Sequence, residues 1–414
     1  MQRIDLLFTA ACIYTQKFKR KHYSTLNSSL PNRTVADALW LMMAKARGGE
    51  HWLANAQCEV ESIQFNTAEI SGSAASLPVC LPLPTQASQS YVLSPRSAWI
   101  DYAKDEALRH LPTCNNRIAQ FATRATAQLV TQCALTPLRF LLQQAGLQHA
   151  AIVGNHLIST NLYPDWQRQD TQHLLDQLIA LYPDRPILLR NICSAVNPQL
   201  TSSLQAEGWH LIPARIVYLC DPSQSQVWKH NHVKQDAKLL AQTDIDVLTP
   251  NDLKPEHLPQ LRRLFRELFI DKHSRLNPDF TPAFFELCLE NRFLDLYALR
   301  QQNTLVGVLG IYEDVQHGWI TTPLIGYDHS QPQSTGIYRR LMALLLQQAR
   351  LRQTKLHYSS GASQFKRARG GQPQLEYSAI YSRHLGRRAA FSNRTFAQLM
   401  QSTVPAILKK ADQL

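Results

Sequence analysis

The spacing of apolar residues predicts alternating helices and strands, most clearly in the last 170 residues or so. Apolar side chains recur at helical spacing over residues 255–272 and 281–291, each behind a turn signal. Three runs rich in β-branched and aromatic residues follow, over residues 294–300, 305–312 and 319–326, and tight polar turns separate them. This pattern predicts two helices followed by a three-stranded meander.

The same region continues with a second set of elements. A polar turn around Gly336 leads into a predicted helix over residues 339–352 and a short strand over residues 355–360. A loop rich in glycine and basic residues then precedes a last strand over residues 375–382. We expect the order helix, helix, three strands, turn, helix, strand, loop, strand.

Upstream, a mixed segment is predicted between residue 91 and about residue 238. Its helices are predicted over residues 116–145, 170–182 and 197–208, and its strands over residues 150–157, 186–190 and 211–220. A polar helical stretch over residues 228–241 is predicted to bridge this segment and the next. Residues 1–90 are predicted to be an extension, with a helix over residues 34–46 and a Pro- and Ser-rich linker over residues 71–90.

Composition is compatible with this division. A chain of 414 residues with 44% hydrophobic and 18% charged residues is long enough for two folded domains. We therefore predict an α/β (α+β) protein whose units are residues 1–90, 91–240, 241–395 and a basic C-terminal segment, 396–414. No apolar run reaches the roughly 18 residues of a membrane span, and residues 1–14 lack the basic leader and cleavage site of a secretory signal.

The eight cysteines do not form a disulfide or metal framework in the sequence. No two of them have the Cys-x-x-Cys spacing, and most lie in apolar runs. His230 and His232 are near each other, but no carboxylate or thiol accompanies them at ligand spacing. We expect no metal site, and we expect a reducing, cytoplasmic location.

Positive charge is concentrated toward the end of the chain. The formal net charge is +12, and from Arg339 onward fourteen Lys or Arg residues face only Glu376 and Asp412. Such a region predicts a polyanionic partner, which the sequence leaves open among nucleotide phosphates, nucleic acid and an anionic membrane surface.

The turn before the helix at residues 339–352 is the strongest candidate for a binding site. A Gly-containing turn between a strand and a helix directs backbone N–H groups and the helix N-terminus toward one point, which suits a phosphate. The residues of this candidate site are Gln333, Ser334, Thr335, Gly336, Ile337 and Tyr338.

The order of elements and this turn resemble the GNAT acyltransferase superfamily. In that superfamily a meander leads into a Gln/Arg-x-x-Gly-x-Gly/Ala turn that holds the pyrophosphate of acyl-CoA. Gln333 and Gly336 match the turn, whereas Tyr338 replaces its last small residue. The resemblance implies acyl-CoA as a co-substrate, bound by the six turn residues, and no permanently bound cofactor.

A second motif resembles the Fem-type branch, whose members have two GNAT-like domains in tandem. It reads Gly361-x-x-x-Phe365-Lys366-x-x-x-Gly370-Gly371 and directly follows a predicted strand. The resemblance covers about the last 320 residues and implies two tandem GNAT-like domains with mixed sheets flanked by helices. It implies that the C-terminal domain is the active one.

Four side chains are candidates for chemistry. An amine that attacks a thioester needs a base for its proton and a donor for the oxyanion and the thiolate. Glu313 ends the second meander strand, Tyr338 begins the helix after the turn, and His357 lies in the following strand, where it and Tyr358 face opposite sides. Lys366 is predicted to contact a ligand anion or the developing oxyanion, with Phe365 anchoring its loop.

These observations predict an N-acyltransferase that moves an acyl group from an acyl-thioester to an amine acceptor. One alternative keeps the fold and takes aminoacyl-tRNA as the donor, which is the only role predicted for nucleic acid. Another alternative is a non-catalytic binding or scaffold protein on degenerate GNAT-like domains. The sequence leaves the oligomeric state open.

Overall fold

The computed structural model describes residues 33–65, 75–85, 87–109 and 117–413. The expectation about residues 1–14 lies outside these residues. Within the described ranges the structure has twelve α-helices and eleven β-strands. The helices are α1 (Arg33–Arg47), α2 (Tyr102–Arg109), α3 (Arg117–Gln144), α4 (Arg168–Leu181), α5 (Pro198–Glu207), α6 (Ser225–Lys229), α7 (Asn231–Leu240), α8 (Leu258–Arg266), α9 (Pro282–Asn291), α10 (Ile337–Leu351), α11 (Ser363–Arg367) and α12 (Arg387–Gln413).

All the strands belong to one mixed sheet. They are β1 (Cys58–Phe65), β2 (Ala75–Pro82), β3 (Ala151–Val153), β4 (Ile187–Ile192), β5 (His210–Cys220), β6 (Asp246–Leu248), β7 (Asp295–Gln301), β8 (Thr304–Asp314), β9 (Trp319–Tyr327), β10 (Lys355–His357) and β11 (Gln372–Tyr381). Their spatial order is β1-β2-β3-β4-β11-β5-β10-β9-β8-β7-β6. The predicted α/β class, with a mixed sheet flanked by helices, is confirmed.

The two halves of the chain share this sheet through β11. This strand comes after α10 and α11 in sequence but lies between β4 and β5, and it is antiparallel to both. Its pairing with β5 is the longer one and extends from Gln372 opposite Leu219 to Ile380 opposite His210. The last strand of the chain therefore completes the sheet of the first half.

The meander β7-β8-β9 is confirmed close to its predicted bounds, and it ends at an opening in the sheet. β10 runs parallel to β9, but their pairing covers only Trp319 to Thr321 on β9. Within the described part of the chain, β9 has no strand pairing on that side beyond Thr321, so the two strands diverge. The turn around Gly336 lies beyond the end of β9 and leads into α10.

Two local predictions are wrong. The Pro- and Ser-rich stretch contains β2, which pairs with β1 along its whole length and with β3 at Val79 and Cys80. Pro78 is tolerated there because it takes part through its carbonyl oxygen, which accepts a hydrogen bond of 2.7 Å from Gly154 N. The loop predicted between residues 361 and 371 contains the short helix α11.

Helix α12 returns the C-terminus to the first half of the chain. Phe396, Ala397 and Met400 are buried in the same apolar core as residues of α1 and α3. The ring of Phe396 lies 5.3 Å from that of Trp99, and Asn393 Nδ2 donates to Ala145 O over 2.9 Å. The N-terminus of α12 therefore meets the end of α3, and the two helices are packed together.

Candidate functional site

The turn before α10 has the predicted position between a strand and a helix. Gln333–Thr335 form one 3₁₀ turn, and Gly336 has a φ of 61°, a left-handed conformation that favours glycine. Gln333 and Ser334 are exposed, whereas Gly336 and Ile337 are buried. The six predicted turn residues are thus brought together at the start of α10, and their role in binding stays a prediction.

Helix α7 packs over this turn. A methyl group added to the Cα of Gly336 would lie 2.6 Å from Leu239 Cδ2, so the side chain of Leu239 covers the glycine. An ion pair fixes the contact, since Arg339 Nε lies 2.6 Å from Asp236 Oδ1. Beyond the end of α7, Asp244 Oδ2 lies 2.8 Å from the buried Arg340. A phosphate reaches Gly336 from this side only if Leu239 moves.

Tyr338 and Phe365 occupy the opening beside the turn. The ring of Tyr338 lies 5.9 Å from that of Tyr327 at the end of β9 and 4.8 Å from that of Phe365 on α11. The Arg369 guanidinium lies 3.3 Å from the centre of the Phe365 ring. Burial, with a smaller contribution from Tyr327, raises the pKa of Tyr338 to about 12, so its phenol is protonated at neutral pH and can donate a hydrogen bond.

On the other side of α11 lies a group of buried polar side chains, which we call the central polar cluster. Its members are Asn191 on β4, Arg215 on β5, His357 on β10, Lys366 on α11 and Glu376 on β11. Arg215 Nε lies 2.6 Å from Glu376 Oε1, and Asn191 Nδ2 donates to the same oxygen over 2.9 Å. The strands of both halves meet here, because β11 lies between β4 and β5.

Glu376 is a fully enclosed carboxylate, with 1% of its surface exposed. Burial alone would raise its pKa, but the charge of Arg215 and hydrogen bonds from His357 and Arg215 lower the pKa to about 2. Glu376 is therefore ionised at all physiological pH values, and it accepts hydrogen bonds from three side chains of the cluster.

His357 is held as a neutral imidazole of one tautomer. Ser359 N donates to its Nδ1 over 3.1 Å, and its Nε2 lies 3.5 Å from Glu376 Oε2. Burial lowers its pKa, and the nearby carboxylate opposes this effect. A neutral ring that accepts at Nδ1 carries its hydrogen on Nε2 and directs it toward Glu376. Tyr358 lies on the opposite face, in the core against α10, as predicted.

Lys366 is the least compensated member of the cluster. It is 4% exposed, and among the described residues its Nζ donates only to carbonyl oxygens, over 2.6 Å to Ser360 O and 3.4 Å to Ser359 O. No carboxylate among the described residues pairs with it. Burial and then the charge of Arg215 lower its pKa to about 7.

The backbone beside Lys366 is strained. Ser359 and Ala362 have φ values of 60° and 49°, a region that residues other than glycine rarely adopt. This conformation accompanies a segment whose carbonyls accept from the Lys366 ammonium. Ser360 is half-buried, and Gly361 and Ala362 are exposed, so the cluster approaches the surface here. Because strained backbone clusters at functional sites, this segment is a candidate for one.

A second buried cation lies next to the cluster. Arg190 on β4 makes long hydrogen bonds, of 3.5 Å to Asn155 Oδ1 and 3.4 Å to Ile158 O, and its guanidinium lies 5.8 Å from the centre of the Tyr91 ring. Neither Arg190 nor Lys366 has an ion-pair partner among the described residues. The buried positive charge in and beside the central polar cluster therefore exceeds the negative charge of its carboxylate, Glu376. This excess favours a negatively charged ligand or transition state.

The structure brings three of the predicted catalytic side chains to α11 and its neighbours and leaves one elsewhere. Tyr338 lies on the Phe365 side of α11, and His357 and Lys366 lie in the central polar cluster. Glu313 instead pairs with Arg352, which follows the C-terminal end of α10, whereas Gly336 precedes its N-terminal end. Arg352 also lies 2.7 Å from Asp295 Oδ2. Glu313 therefore does not approach the other three.

Sequence reasoning missed Arg215, Glu376 and Asn191. A signal was present, because Arg215 and Glu376 are charged residues inside otherwise apolar predicted strands. A charge in a buried strand needs a partner, but the sequence does not say which one. Within the described ranges, no group of three or more His, Cys, Asp or Glu side chains could hold a metal ion. No described helix has the length and apolar character needed to cross a membrane.

The known proteins to which this chain is similar are found among solved structures. No protein-family model matches the sequence, and no curated protein matches it. Among solved structures, the chain is similar to FemX, with a TM-score of 0.49 and 7% identity over 84% of this chain and 96% of that one. It is similar to L-PGS from Bacillus licheniformis, with a TM-score of 0.46 and 11% identity over 90% and 96% of the two chains.

A GCN5-related N-acetyltransferase from Kribbella flavida is similar over 56% of this chain and 80% of its own, with a TM-score of 0.31 and 13% identity. FemX and a GCN5-related N-acetyltransferase are thus among the solved structures to which this chain is similar. Similarity at these identities and TM-scores says nothing about the chemistry, which depends on the side chains of the site.

Proposed function

We propose that this protein transfers an acyl group to an amine and that Lys366 is its principal catalytic residue. The observation that carries the proposal is a buried lysine without a carboxylate partner, whose pKa of about 7 lets it exchange a proton at neutral pH. A lysine kept only for stability would be expected to extend to water or to pair with a carboxylate.

Lys366 can carry out both proton transfers that this reaction needs. The amine nitrogen attacks the acyl carbonyl carbon, a C–N bond forms, and the carbonyl electron pair moves onto oxygen. Neutral Lys366 takes the proton that the nitrogen loses, and the resulting ammonium stabilises the oxyanion. When the bond to the leaving oxygen or sulfur breaks, the ammonium returns the proton to that atom.

The other members of the central polar cluster act by positioning. Glu376 holds Arg215 in an ion pair and accepts a hydrogen bond from His357 Nε2. The charge of Arg215 in turn lowers the pKa of Lys366. His357 fixes the backbone at Ser359, and the carbonyls of Ser359 and Ser360 accept hydrogen bonds from Lys366. We assign Tyr338 the role of hydrogen-bond donor on the other side of α11.

For the donor we propose acyl-CoA, bound at the Gly336 turn by backbone N–H groups at the start of α10. The left-handed Gly336 and the exposed Gln333 and Ser334 support this assignment. The acceptor is an amine-bearing molecule whose negative charge is favoured by the excess of buried cations. Leu239 has to move for the pyrophosphate to reach the glycine.

The position of Leu239 favours a second donor, an aminoacyl ester of tRNA. An ester of this kind presents an activated carbonyl without requiring a pyrophosphate at Gly336. The net charge of +12 favours contacts with a polyanion. The same Lys366 chemistry applies, with the ribose oxygen as the leaving atom.

The test is a mass-spectrometric screen of acyl-CoA thioesters and of charged tRNA with a panel of amines. Wild-type protein should form an amide with one donor class, and Lys366→Met should reduce the rate by roughly 10²- to 10⁴-fold. Lys355→Met is the matched control, since Lys355 is an exposed lysine at the start of β10, and it should retain wild-type activity. Absence of turnover with every pair would favour the scaffold alternative.

A further inference from the structure

Helix α3 has apolar side chains on two opposite faces. One face packs inward with Leu138 and Leu142, which are buried in the main core. The other face is exposed and has Val130, Cys133, Pro137 and Phe140 at spacings of three and four residues. A surface helix of a globular protein normally has polar residues on its outward face. This outward row, which we call the α3 stripe, is therefore unusual.

Helix α12 adds an exposed aromatic residue close to this helix. Phe391 is 70% exposed and lies one turn from Arg387 and Arg394 on the outward face. It lies two residues before Asn393, whose amide contacts the end of α3 at Ala145. Phe391 and the α3 stripe therefore belong to two packed helices that meet at this point.

Almost all the charged residues in the sequences of the two helices are basic. The sequence of α3 contains Arg117, Arg124 and Arg139 and no acidic residue. The sequence of α12 contains five Lys or Arg residues, and Asp412 at its end is its one acidic residue. Arg139 lies 3.6 Å from Asp101, an acidic residue that belongs to neither helix. Basic helices that expose aliphatic and aromatic side chains are typical of elements that lie in the interface of an anionic bilayer.

We propose that α3 and α12 dock this protein on an anionic lipid surface, with the α3 stripe and Phe391 inserted among the acyl chains near the headgroups. The arginines beside Phe391 then reach lipid phosphates, and their alkyl stems cover apolar surface. Nucleic acid is less suited to this surface, because Val130 and Pro137 find no apolar partner on a sugar-phosphate backbone. A second copy docking by the same face would bring like charges together.

The experiment uses Cys133 as a reporter, because it lies within the α3 stripe and is exposed, whereas the other described cysteines are buried. After Cys12→Ser and Cys114→Ser, an environment-sensitive fluorophore on Cys133 should shift to shorter wavelength with vesicles of equal parts phosphatidylserine and phosphatidylcholine. Pure phosphatidylcholine vesicles should give little shift, and raised salt should reverse the binding.

Variants separate the apolar and charged contributions. Phe391→Asp should abolish vesicle co-sedimentation, and the double variant Arg387→Gln and Arg394→Gln should weaken it roughly tenfold or more. Val315→Asp, at an exposed apolar position in the turn between β8 and β9, and the pair Lys229→Gln and Lys234→Gln on α6 and α7 are matched controls that should bind like wild type.

Three results would overturn the proposal. One is an unchanged emission spectrum with anionic vesicles, and another is an equal shift when the fluorophore is placed at Val315→Cys in a protein lacking Cys133. The third is a shift produced by tRNA or by raising the protein concentration, but not by anionic vesicles. A shift with tRNA would assign the surface to RNA, and a shift with protein concentration would assign it to a second copy.

Discussion

At the scale of single residues, the burial of Lys366 has a consequence for stability as well as for chemistry. In the unfolded chain its pKa returns to roughly 10.4, whereas in the folded protein it is about 7. Between pH 7 and roughly 10 the unfolded state therefore binds more protons, and the free energy of unfolding rises with pH because of this group. Lys366 destabilises the fold most at and below neutral pH.

Lys366→Met keeps an unbranched side chain, one heavy atom shorter, and removes the titrating ammonium. The variant should be at least as stable as wild type at pH 7, and its advantage should shrink as the pH rises toward roughly 10. Urea unfolding of both proteins over this pH range measures the difference, with Lys355→Met as the control. A variant that loses stability equally at every pH would show that Lys366 is a packing residue.

Glu376 has the opposite dependence on pH. Its pKa of about 2 in the folded protein lies below the value of roughly 4.3 in an unfolded chain. Its contribution to stability is therefore fully present above roughly pH 4.3 and is lost as the pH falls through about 2. Glu376→Gln leaves Arg215 buried without its carboxylate and should reduce the free energy of unfolding at pH 7 by roughly 3–5 kcal/mol.

The matched control is Asp246→Asn, which breaks the exposed pair with Arg300 on β7 and should change stability by about 1 kcal/mol or less. Urea unfolding at pH 7 and in acid should show the deficit of Glu376→Gln shrinking as the pH falls below roughly 4. If both variants behave alike, the central polar cluster does not depend on an ionised Glu376.

The sequence was informative for residues that lie within a local motif. Lys366 could be chosen because it follows a predicted strand in a recognisable spacing, and His357 because it lies within that strand. Arg215 and Glu376 could not be paired, since 161 residues separate them and only the insertion of β11 beside β5 brings them together. Glu313 was chosen because it ends a strand, but the ion pair with Arg352 depends on how α10 packs across the sheet.

At the scale of elements, the contact between α7 and the Gly336 turn determines whether the turn can take a phosphate. Leu239→Ala should open the turn and tighten binding of CoA, measured by calorimetry, if acyl-CoA is the donor. Leu240→Ala, at the next position of the same helix, should leave the affinity unchanged. If neither wild type nor Leu239→Ala binds CoA, the aminoacyl ester becomes the better candidate donor.

Elements whose pattern is locally strong were predicted well, and those that depend on context were not. The meander and α10 have long apolar runs, and their predicted bounds lie close to those in the structure. The strand β2 was obscured by Pro78 and Pro82, because proline cannot donate in a ladder and normally argues against a strand. Its apolar residues Val79 and Leu81 were the signal for it, and both are buried.

At the scale of the whole molecule, the two halves of the chain depend on each other. Residues up to 240 contain β4 and β5, but β11 fills the space between these strands. Helix α12 covers part of the core that belongs to the first half. The predicted boundary near residue 240 thus separates two units in sequence that share one sheet in space, and Arg215 obtains its carboxylate from beyond it.

We therefore expect residues 33–240 produced alone to lack a cooperative unfolding transition. Without β11, the edges of β4 and β5 carry unpaired backbone groups, Arg215 loses Glu376, and the apolar surface under α12 becomes exposed. Co-expression with residues 241–413 should restore a single transition by circular dichroism and a soluble complex that survives gel filtration. Residues 241–362, which lack both β11 and α12, provide the control and should not restore it. A fragment of residues 33–240 that unfolds cooperatively by itself would show that β11 only docks on a finished domain, and the central polar cluster would then be an interface between two independent folds.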